Sequence, residues 1–149
     1  MLHTLKGLNT ICGILFSYFF SAVVFPQIDS ELFLEGASIT GITEENGNIW
    51  VSTYGKGIFL YSIKEDKWTS YSTQNTRQLD NDLFYSIAAS KDFVWAGASE
   101  GLFIFDRKRN TWRKRKFAQG GEFGNWIRTL KYDPQSNSLW IGRFRNLTH

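Results

Sequence analysis

Hydrophobic and polar residues alternate in short runs along most of the chain, and turn-forming residues separate the runs. Residues 38–72 contain four such runs. The same order of runs and turns recurs in residues 84–117 and begins again in residues 126–149. Alternation with a period of two residues is typical of β-strands that bury one face. The pattern therefore predicts an all-β chain of three similar units, the last of them incomplete.

Tryptophan marks the repeat. Trp50, Trp95 and Trp140 recur at intervals of 45 residues, each inside a similar phrase. Internal similarity at about 40–50 residues is the sequence mark of propeller blades, and a repeat unit must stack on its neighbours to bury its hydrophobic face. We therefore predict a partial β-propeller of about two and a half four-stranded antiparallel blades. The three tryptophans are predicted to form its core, each on the second strand and facing the next blade.

Two glycines mark one turn in the first two units. Gly57 and Gly101 each begin the third strand of their unit, directly after a tight turn. Glycine adopts positive φ without the steric cost that other residues meet there. We predict a positive φ and a structural role for both.

The first 27 residues differ from the rest. The segment Met1–Asn9 carries Lys6 and no acid, and the apolar run Ile11–Phe25 follows it. A positive start followed by about 7–15 apolar residues describes a secretory signal peptide, and this run is shorter than the ~20 residues that span a bilayer. We predict a signal peptide over 1–27, the N-terminal part of a propeller over 28–149, and a periplasmic or secreted location. A retained membrane anchor stays open as the alternative.

Composition excludes several classes of site. The single cysteine, Cys12, lies in the predicted signal peptide, so the remainder cannot form a disulfide. Both histidines lie at the ends, at His3 and His149, which leaves no histidine for a metal cage or a general base in the middle. The net charge of +3 gives no general case for nucleic-acid binding. We predict no metal, no cofactor and no nucleic-acid partner.

Ligand pockets of propellers usually form where loops meet at one mouth of the central channel. The turns between second and third strands and the loops between blades would share that end. Tyr54, Lys56, Glu100 and Arg143 lie in these turns and are predicted to contact a glycan or another small polar ligand. Such a ligand needs aromatic stacking and charge-assisted hydrogen bonds. The alternative is that the four are ordinary solvated turn residues.

Seven basic side chains lie within residues 107–116. They are consistent with a patch for an acidic polysaccharide or an anionic membrane surface. The alternative is an edge strand whose positive charge discourages pairing with other sheets. Pairs of carboxylates occur only in polar loops, so no catalytic site is predicted.

Two stretches carry a resemblance to a known family. They are Gly47-Asn48-Ile49-Trp50-Val51-Ser52-Thr53, followed by Gly57-Ile58-Phe59-Leu60-Tyr61, and Val94-Trp95-Ala96-Gly97-Ala98, followed by Gly101-Leu102-Phe103-Ile104-Phe105-Asp106. These stretches resemble the two-component regulator propeller repeat, whose blades look like Gly-Asn-Ile-Trp-Ile-Gly-Thr followed by Gly-Gly-Leu and Phe-Asp. The resemblance covers roughly residues 38–147. Similar proteins are extracytoplasmic sensor regions of bacterial hybrid two-component systems, in which a membrane helix connects the propellers to a histidine kinase.

The resemblance implies a non-catalytic sensing module, the N-terminal fragment of a two-component sensor. Its partners would then be the ligand, the missing downstream blades and the signalling domains. The membrane would be reached only through the signal peptide or a downstream anchor. Two alternatives stay open: a fragment of a secreted propeller enzyme, such as a polysaccharide hydrolase or lyase, and a structural interaction scaffold.

Overall fold

The computed structural model describes residues 33–119 and 123–149. These residues form eleven β-strands in three antiparallel sheets, with no helix among them. The predicted all-β fold of a partial propeller is thereby confirmed. The signal peptide predicted for residues 1–27 lies outside the described residues. In the described ranges, nothing forms a helix with the length and hydropathy that a membrane span requires.

Each strand pairs with the next one along the chain, so every sheet is a simple meander. Sheet 1 contains β1 (Ile39–Glu45), β2 (Asn48–Thr53), β3 (Ile58–Ser62) and β4 (Lys67–Tyr71). Sheet 2 contains β5 (Ser86–Ala89), β6 (Phe93–Ala98), β7 (Gly101–Asp106) and β8 (Thr111–Arg115). Sheet 3 contains β9 (Ile127–Asp133), β10 (Ser138–Arg143) and β11 (Leu147–Thr148). Four-stranded meanders arranged in series are the blades of a propeller.

Asparagine and glycine close the hairpins at one end of the sheets. Asn46 and Gly47 have φ of 53° and 74°, as the two central residues of a type I′ turn require. Asn110 and Asn137 both have φ of 51° in the β7–β8 and β9–β10 turns. Asparagine tolerates this left-handed region better than most residues. We call this end of the molecule the far end.

Trp50 joins sheet 1 to sheet 2, and Trp95 joins sheet 2 to sheet 3. The Trp50 ring on β2 lies 5.7 Å from the Phe105 ring of sheet 2, measured between centroids. The Trp95 ring on β6 lies 5.4 Å from the Tyr132 ring of sheet 3. The two hydrophobic cores lie at these interfaces, one between sheets 1 and 2 and the other between sheets 2 and 3. Burial of aromatic area contributes much of the stability of such interfaces.

Trp140 occupies the same position in sheet 3 but has different surroundings. It lies on the second strand, and it pairs with Lys131 as Trp50 pairs with Thr43. Trp50 is 1% exposed, whereas Trp140 is 41% exposed. The described residues place no sheet over the Trp140 face. The buried setting predicted for all three tryptophans is therefore not found at Trp140.

The glycine two positions after Trp95 allows sheets 2 and 3 to approach closely. A Cβ on Gly97 would lie 2.5 Å from the Ile127 side chain and 2.6 Å from the Ser86 hydroxyl. A larger side chain there would push sheet 3 away from sheet 2. Gly57 and Gly101 have φ of 82° and 139°, which confirms the positive φ predicted for both.

Candidate functional site

The end of the sheets opposite the far end gathers the β2–β3, β6–β7 and β10–β11 turns with the loops between sheets. A β-bridge joins Tyr54 to Leu83. The Tyr85 amide donates to the Gly97 carbonyl at 2.8 Å, and the Phe144 amide donates to the Trp126 carbonyl at 3.1 Å. These bonds fix each inter-sheet loop against a neighbouring turn. We call this end of the molecule the rim.

Aromatic side chains form a continuous row along the rim. The Tyr54 ring lies 6.0 Å from the Tyr85 ring, which lies 5.5 Å from the Trp126 ring. Trp126 stacks on Phe144 at 5.5 Å, and Phe144 stacks on Phe123 at 4.5 Å. Tyr54 and Phe144 are 54% and 43% exposed. We call these five residues the aromatic row; Tyr54 and Phe144 are exposed, and Tyr85, Phe123 and Trp126 are partly buried.

Each ring of the row is positioned by backbone geometry. Tyr54 and Phe144 follow the second strands of sheets 1 and 3, whereas Tyr85 and Trp126 directly precede the first strands of sheets 2 and 3. Phe123 has φ of 95°, a backbone conformation that costs a non-glycine residue roughly 1–3 kcal/mol. Its ring stacks on both Phe144 and Trp126 in this conformation.

Cationic side chains lie beside the row. The Arg128 guanidinium lies 5.1 Å from the centre of the Trp126 ring. Arg143 donates to the Gly124 carbonyl and to the Thr148 hydroxyl, each at 3.1 Å. The guanidinium of Arg143 also lies 5.3 Å from the Phe117 ring. Arg143 therefore holds the loop before β9 against β11, and its Nε is buried without a hydrogen-bond partner.

The four residues predicted to bind a ligand are separated along the rim. Tyr54 belongs to the aromatic row. Lys56 is exposed, and its Nζ lies 3.5 Å from the Glu35 carbonyl oxygen. Glu100 is paired with Lys114, which also pairs with Asp80. Among the described residues, no hydrogen bond or ring contact joins any two of the four predicted residues.

Sequence reasoning missed most of the aromatic row. Tyr85 and Trp126 lie at the start of the units predicted over 84–117 and 126–149, and Phe123 and Phe144 lie in loops, but no pattern marks these four residues as neighbours. A signal was nevertheless present: aromatic residues precede the first strand of both later units, at Tyr85 and Trp126. Their proximity depends on how the sheets stack, which one sequence does not specify.

The seven basic residues within 107–116 contact several different partners. Arg107 forms an ion pair with Glu45 of sheet 1 and donates to the carbonyls of Ser90 and Lys91. Arg109 pairs with Asp106 at 2.6 Å. Because β8 is the outer edge strand of sheet 2, its remaining cations lie along a sheet edge. The run is therefore not one continuous patch of unpaired charge.

A concavity lies between β1, β5 and β9, the first strands of the three sheets. It has a volume of about 520 Å³ and is lined from three sides, by residues that include Ile42, Ile87 and Leu130. Its charged lining, at Glu44, Glu45, Lys91 and Lys131, lies toward the far end. Where the structure describes the chain, no group of three or more His, Cys, Asp or Glu side chains could hold a metal ion.

The fold is similar to solved extracellular domains from B. thetaiotaomicron. One belongs to a protein described as a one-component system and matches 83% of this chain with a TM-score of 0.61 and 21% identity. Another structure of that protein's extracellular domain, described as a hybrid two-component system, matches 74% of the chain with a TM-score of 0.61 and 20% identity. The extracellular domain of a different protein, also described as a hybrid two-component system, matches 73% with a TM-score of 0.60 and 24% identity.

The chain spans only a small part of those structures, 16% of the first and 15% of each of the other two. At these identities the similarity concerns the fold. No protein-family model matches the chain, and no curated protein sequence matches it significantly.

Proposed function

We propose that this chain is an extracytoplasmic recognition module, part of a propeller sensor that binds a glycan at the aromatic row. Sugar rings combine an apolar face with hydroxyl groups at the edge. Stacking on exposed rings and hydrogen bonds from neighbouring cations suit both parts of such a ligand. The observation that carries the proposal is the continuity of the row, in which rings from three sheets follow one another at 4.5–6.0 Å.

The chemistry of the row favours recognition over catalysis. Tyrosine and tryptophan offer large rigid contact areas at a low cost in side-chain entropy. Arg128 and Arg143 lie next to the stacked rings and carry hydrogen-bond donors. A ligand lying along Tyr54, Tyr85 and Phe144 would contact elements of all three sheets at once.

A signalling mechanism follows from that placement. A ligand that contacts several sheets favours the arrangement of the sheets in which all the contacts form. Because the ligand binds that arrangement more tightly than the others, it shifts the population of molecules toward that arrangement. In the proposed sensor, a downstream domain outside this chain passes the shift across the membrane to a histidine kinase. The similarity in fold to extracellular domains of two-component systems supports this placement.

A binding screen tests the proposal. The full chain is titrated with neutral and acidic oligosaccharides, and affinity is measured by calorimetry. We expect Phe144→Ala to weaken binding about tenfold, which corresponds to about 1.4 kcal/mol and to the loss of one stacked ring. Ile63→Ala is the matched control, because Ile63 is 52% exposed in a turn at the far end.

Two results would count against a site at the aromatic row. One is the absence of binding to any oligosaccharide by a folded chain. The other is binding to acidic polymers alone that weakens with salt and is unchanged by Phe144→Ala. That result would place the contact on the basic residues of β8 instead.

A further inference from the structure

Three arginines lie around the junction between sheets 2 and 3 at the rim. The guanidinium of Arg128 lies 5.1 Å from the centre of the Trp126 ring. The guanidinium groups of Arg115 and Arg143 lie 5.0 and 5.3 Å from the centre of the Phe117 ring. Phe117 and Trp126 lie near the two ends of the loop that connects these sheets, so all three cations lie beside the ends of one loop.

The positive charge of this junction is not neutralised by carboxylates. Among the described residues, no carboxylate forms an ion pair with any of the three arginines. Acids elsewhere on the rim bind other groups. Asp82 accepts hydrogen bonds from the Thr73 hydroxyl and amide at 2.6 and 2.8 Å, and Asp80 and Glu100 both pair with Lys114. Surfaces lined by one sign of charge concentrate ligands of the opposite sign.

Arg128 and Arg143 differ in how their hydrogen-bond donors are used. Arg143 donates to the Gly124 carbonyl and to the Thr148 hydroxyl, so its guanidinium joins the loop to β11. Arg128 is exposed, and within the part of the chain that the structure describes its guanidinium contacts the Trp126 ring and donates no hydrogen bond. A guanidinium carries five N–H donors in a planar fork and can rest on an aromatic ring. The donors of Arg128 therefore remain free for a ligand.

The strand register places Arg128 in line with the aromatic row. Arg128 in sheet 3 and Tyr85 in sheet 2 each precede the residue that pairs with the glycine two positions after the second-strand tryptophan, which is Gly142 or Gly97. The two residues therefore occupy equivalent positions. The Tyr85 ring belongs to the row and lies 5.5 Å from the Trp126 ring. Sheet 3 thus carries a cation at the position where sheet 2 carries a ring of the row.

We propose that the glycan bound at the aromatic row is acidic, and that Arg128 binds the carboxylate of a uronic acid unit beside Trp126. This inference rests on the proposed function, because it identifies the class of sugar that the same row binds. Two N–H groups of a guanidinium match the two oxygens of a carboxylate, and the charge strengthens both hydrogen bonds. The rings of the row offer contact area to any sugar, so Arg128 is the residue that distinguishes an acidic sugar from its neutral counterpart.

The test compares each acidic oligosaccharide with its own methyl ester, which has the same sugar chain without the charge. Oligomers of galacturonate, mannuronate and glucuronate are titrated into the full chain, and calorimetry gives the ratio of the Kd of the ester to the Kd of the acid. We expect a ratio of about ten or more for at least one oligomer at low salt, because only the acid forms a charge-assisted hydrogen bond. The ratio should fall as salt is added. Phe144→Ala should weaken the binding of acid and ester alike.

Variants assign the preference for the acid to one residue. Arg128→Gln should reduce the ratio to near one, whereas Arg128→Lys keeps the charge without the planar fork and should retain part of the preference. Arg113→Gln is the matched control, because Arg113 is an exposed arginine on β8 outside the row and its loss changes the net charge equally. This control should keep the ratio of the parent chain. Circular dichroism confirms that the variants, all at exposed positions, are folded.

The possible results separate this inference from the proposed function. Neutral oligosaccharides that bind as tightly as the acids would overturn the inference and leave glycan recognition at the row intact. A preference for the acid that survives Arg128→Gln, or that Arg113→Gln removes equally, would also overturn it, because the selecting charge would then lie elsewhere. Failure of the folded chain to bind any oligosaccharide, neutral or acidic, would contradict both.

Discussion

Gly57 lies where the chain reverses between β2 and β3, and two constraints act there. Its φ is 82°, and a Cβ would lie 2.2 Å from the Tyr71 carbonyl oxygen. Gly47 shares only the first constraint, since its φ is 74° and no atom lies within 4 Å of the Cβ position. The two glycines therefore separate the cost of left-handed backbone from the cost of a clash.

Gly57→Ala should destabilise the chain more than Gly47→Ala. We expect a loss of about 1–2 kcal/mol for Gly47→Ala from backbone conformation alone. For Gly57→Ala we expect about 2–5 kcal/mol, because β4 must also move. Urea unfolding of both variants measures the difference. Equal losses would mean that β4 does not approach Gly57 as the structure places it.

Asp106 ends β7 and organises the following turn. Its carboxylate accepts the Arg109 backbone amide at 3.0 Å and the Arg109 guanidinium at 2.6 Å. The backbone hydrogen bond from Arg109, followed by the guanidinium bond, lowers the pKa of Asp106 from its ordinary value of 3.8. Hydrogen bonds from Ser136 and Gln135 lower the pKa of Asp133 in the β9–β10 turn of sheet 3.

These lowered pKa values predict loss of stability in acid. A carboxylate with a folded-state pKa below its unfolded value stabilises the fold above pH ~3.8, and this contribution disappears as the pH falls through the folded value. We expect the unfolding free energy of Asp106→Asn to fall less steeply with pH below about 4 than that of the parent chain. Urea unfolding at a series of pH values provides the measurement. Identical slopes would show that Asp106 has no lowered pKa.

Sheets 1 and 2 are joined along their length by different kinds of contact. Trp50 and Tyr71 of sheet 1 meet Phe105 of sheet 2 in the apolar interface. The ion pair between Glu45 and Arg107 joins the same sheets at the far end. The apolar contacts carry more of the stability, since a partly exposed ion pair contributes up to about 1 kcal/mol.

Removing a core indole should cost more than removing a rim indole. We expect Trp50→Ala to lose about 3–5 kcal/mol, because Trp50 is fully buried between sheets. Trp126→Ala should lose roughly 1–2 kcal/mol, because the ring is only partly buried and stacks on neighbours at the rim. Chemical denaturation compares them. A larger loss for Trp126→Ala would place that residue in the core rather than in a recognition surface.

The whole molecule shows which properties depend on local sequence. Alternation and turn residues such as Asn46 and Gly57 are local, and from them the all-β meander could be predicted. The spacing of Trp50 and Trp95 also indicated their packing on the following sheet. The aromatic row could not be predicted in the same way, because residues such as Tyr54 and Trp126 become neighbours only through the stacking of sheets.

The serial packing of the three sheets is tested most directly by measuring which rings each tryptophan contacts. Nuclear Overhauser effects from assigned indole protons identify the rings that lie next to each indole. We expect cross-peaks from Trp50 to Phe105 and from Trp95 to Tyr132, whose ring centroids are 5.7 and 5.4 Å apart. Cross-peaks from Trp95 to rings of sheet 1, with none to Tyr132, would contradict the serial packing of the three sheets.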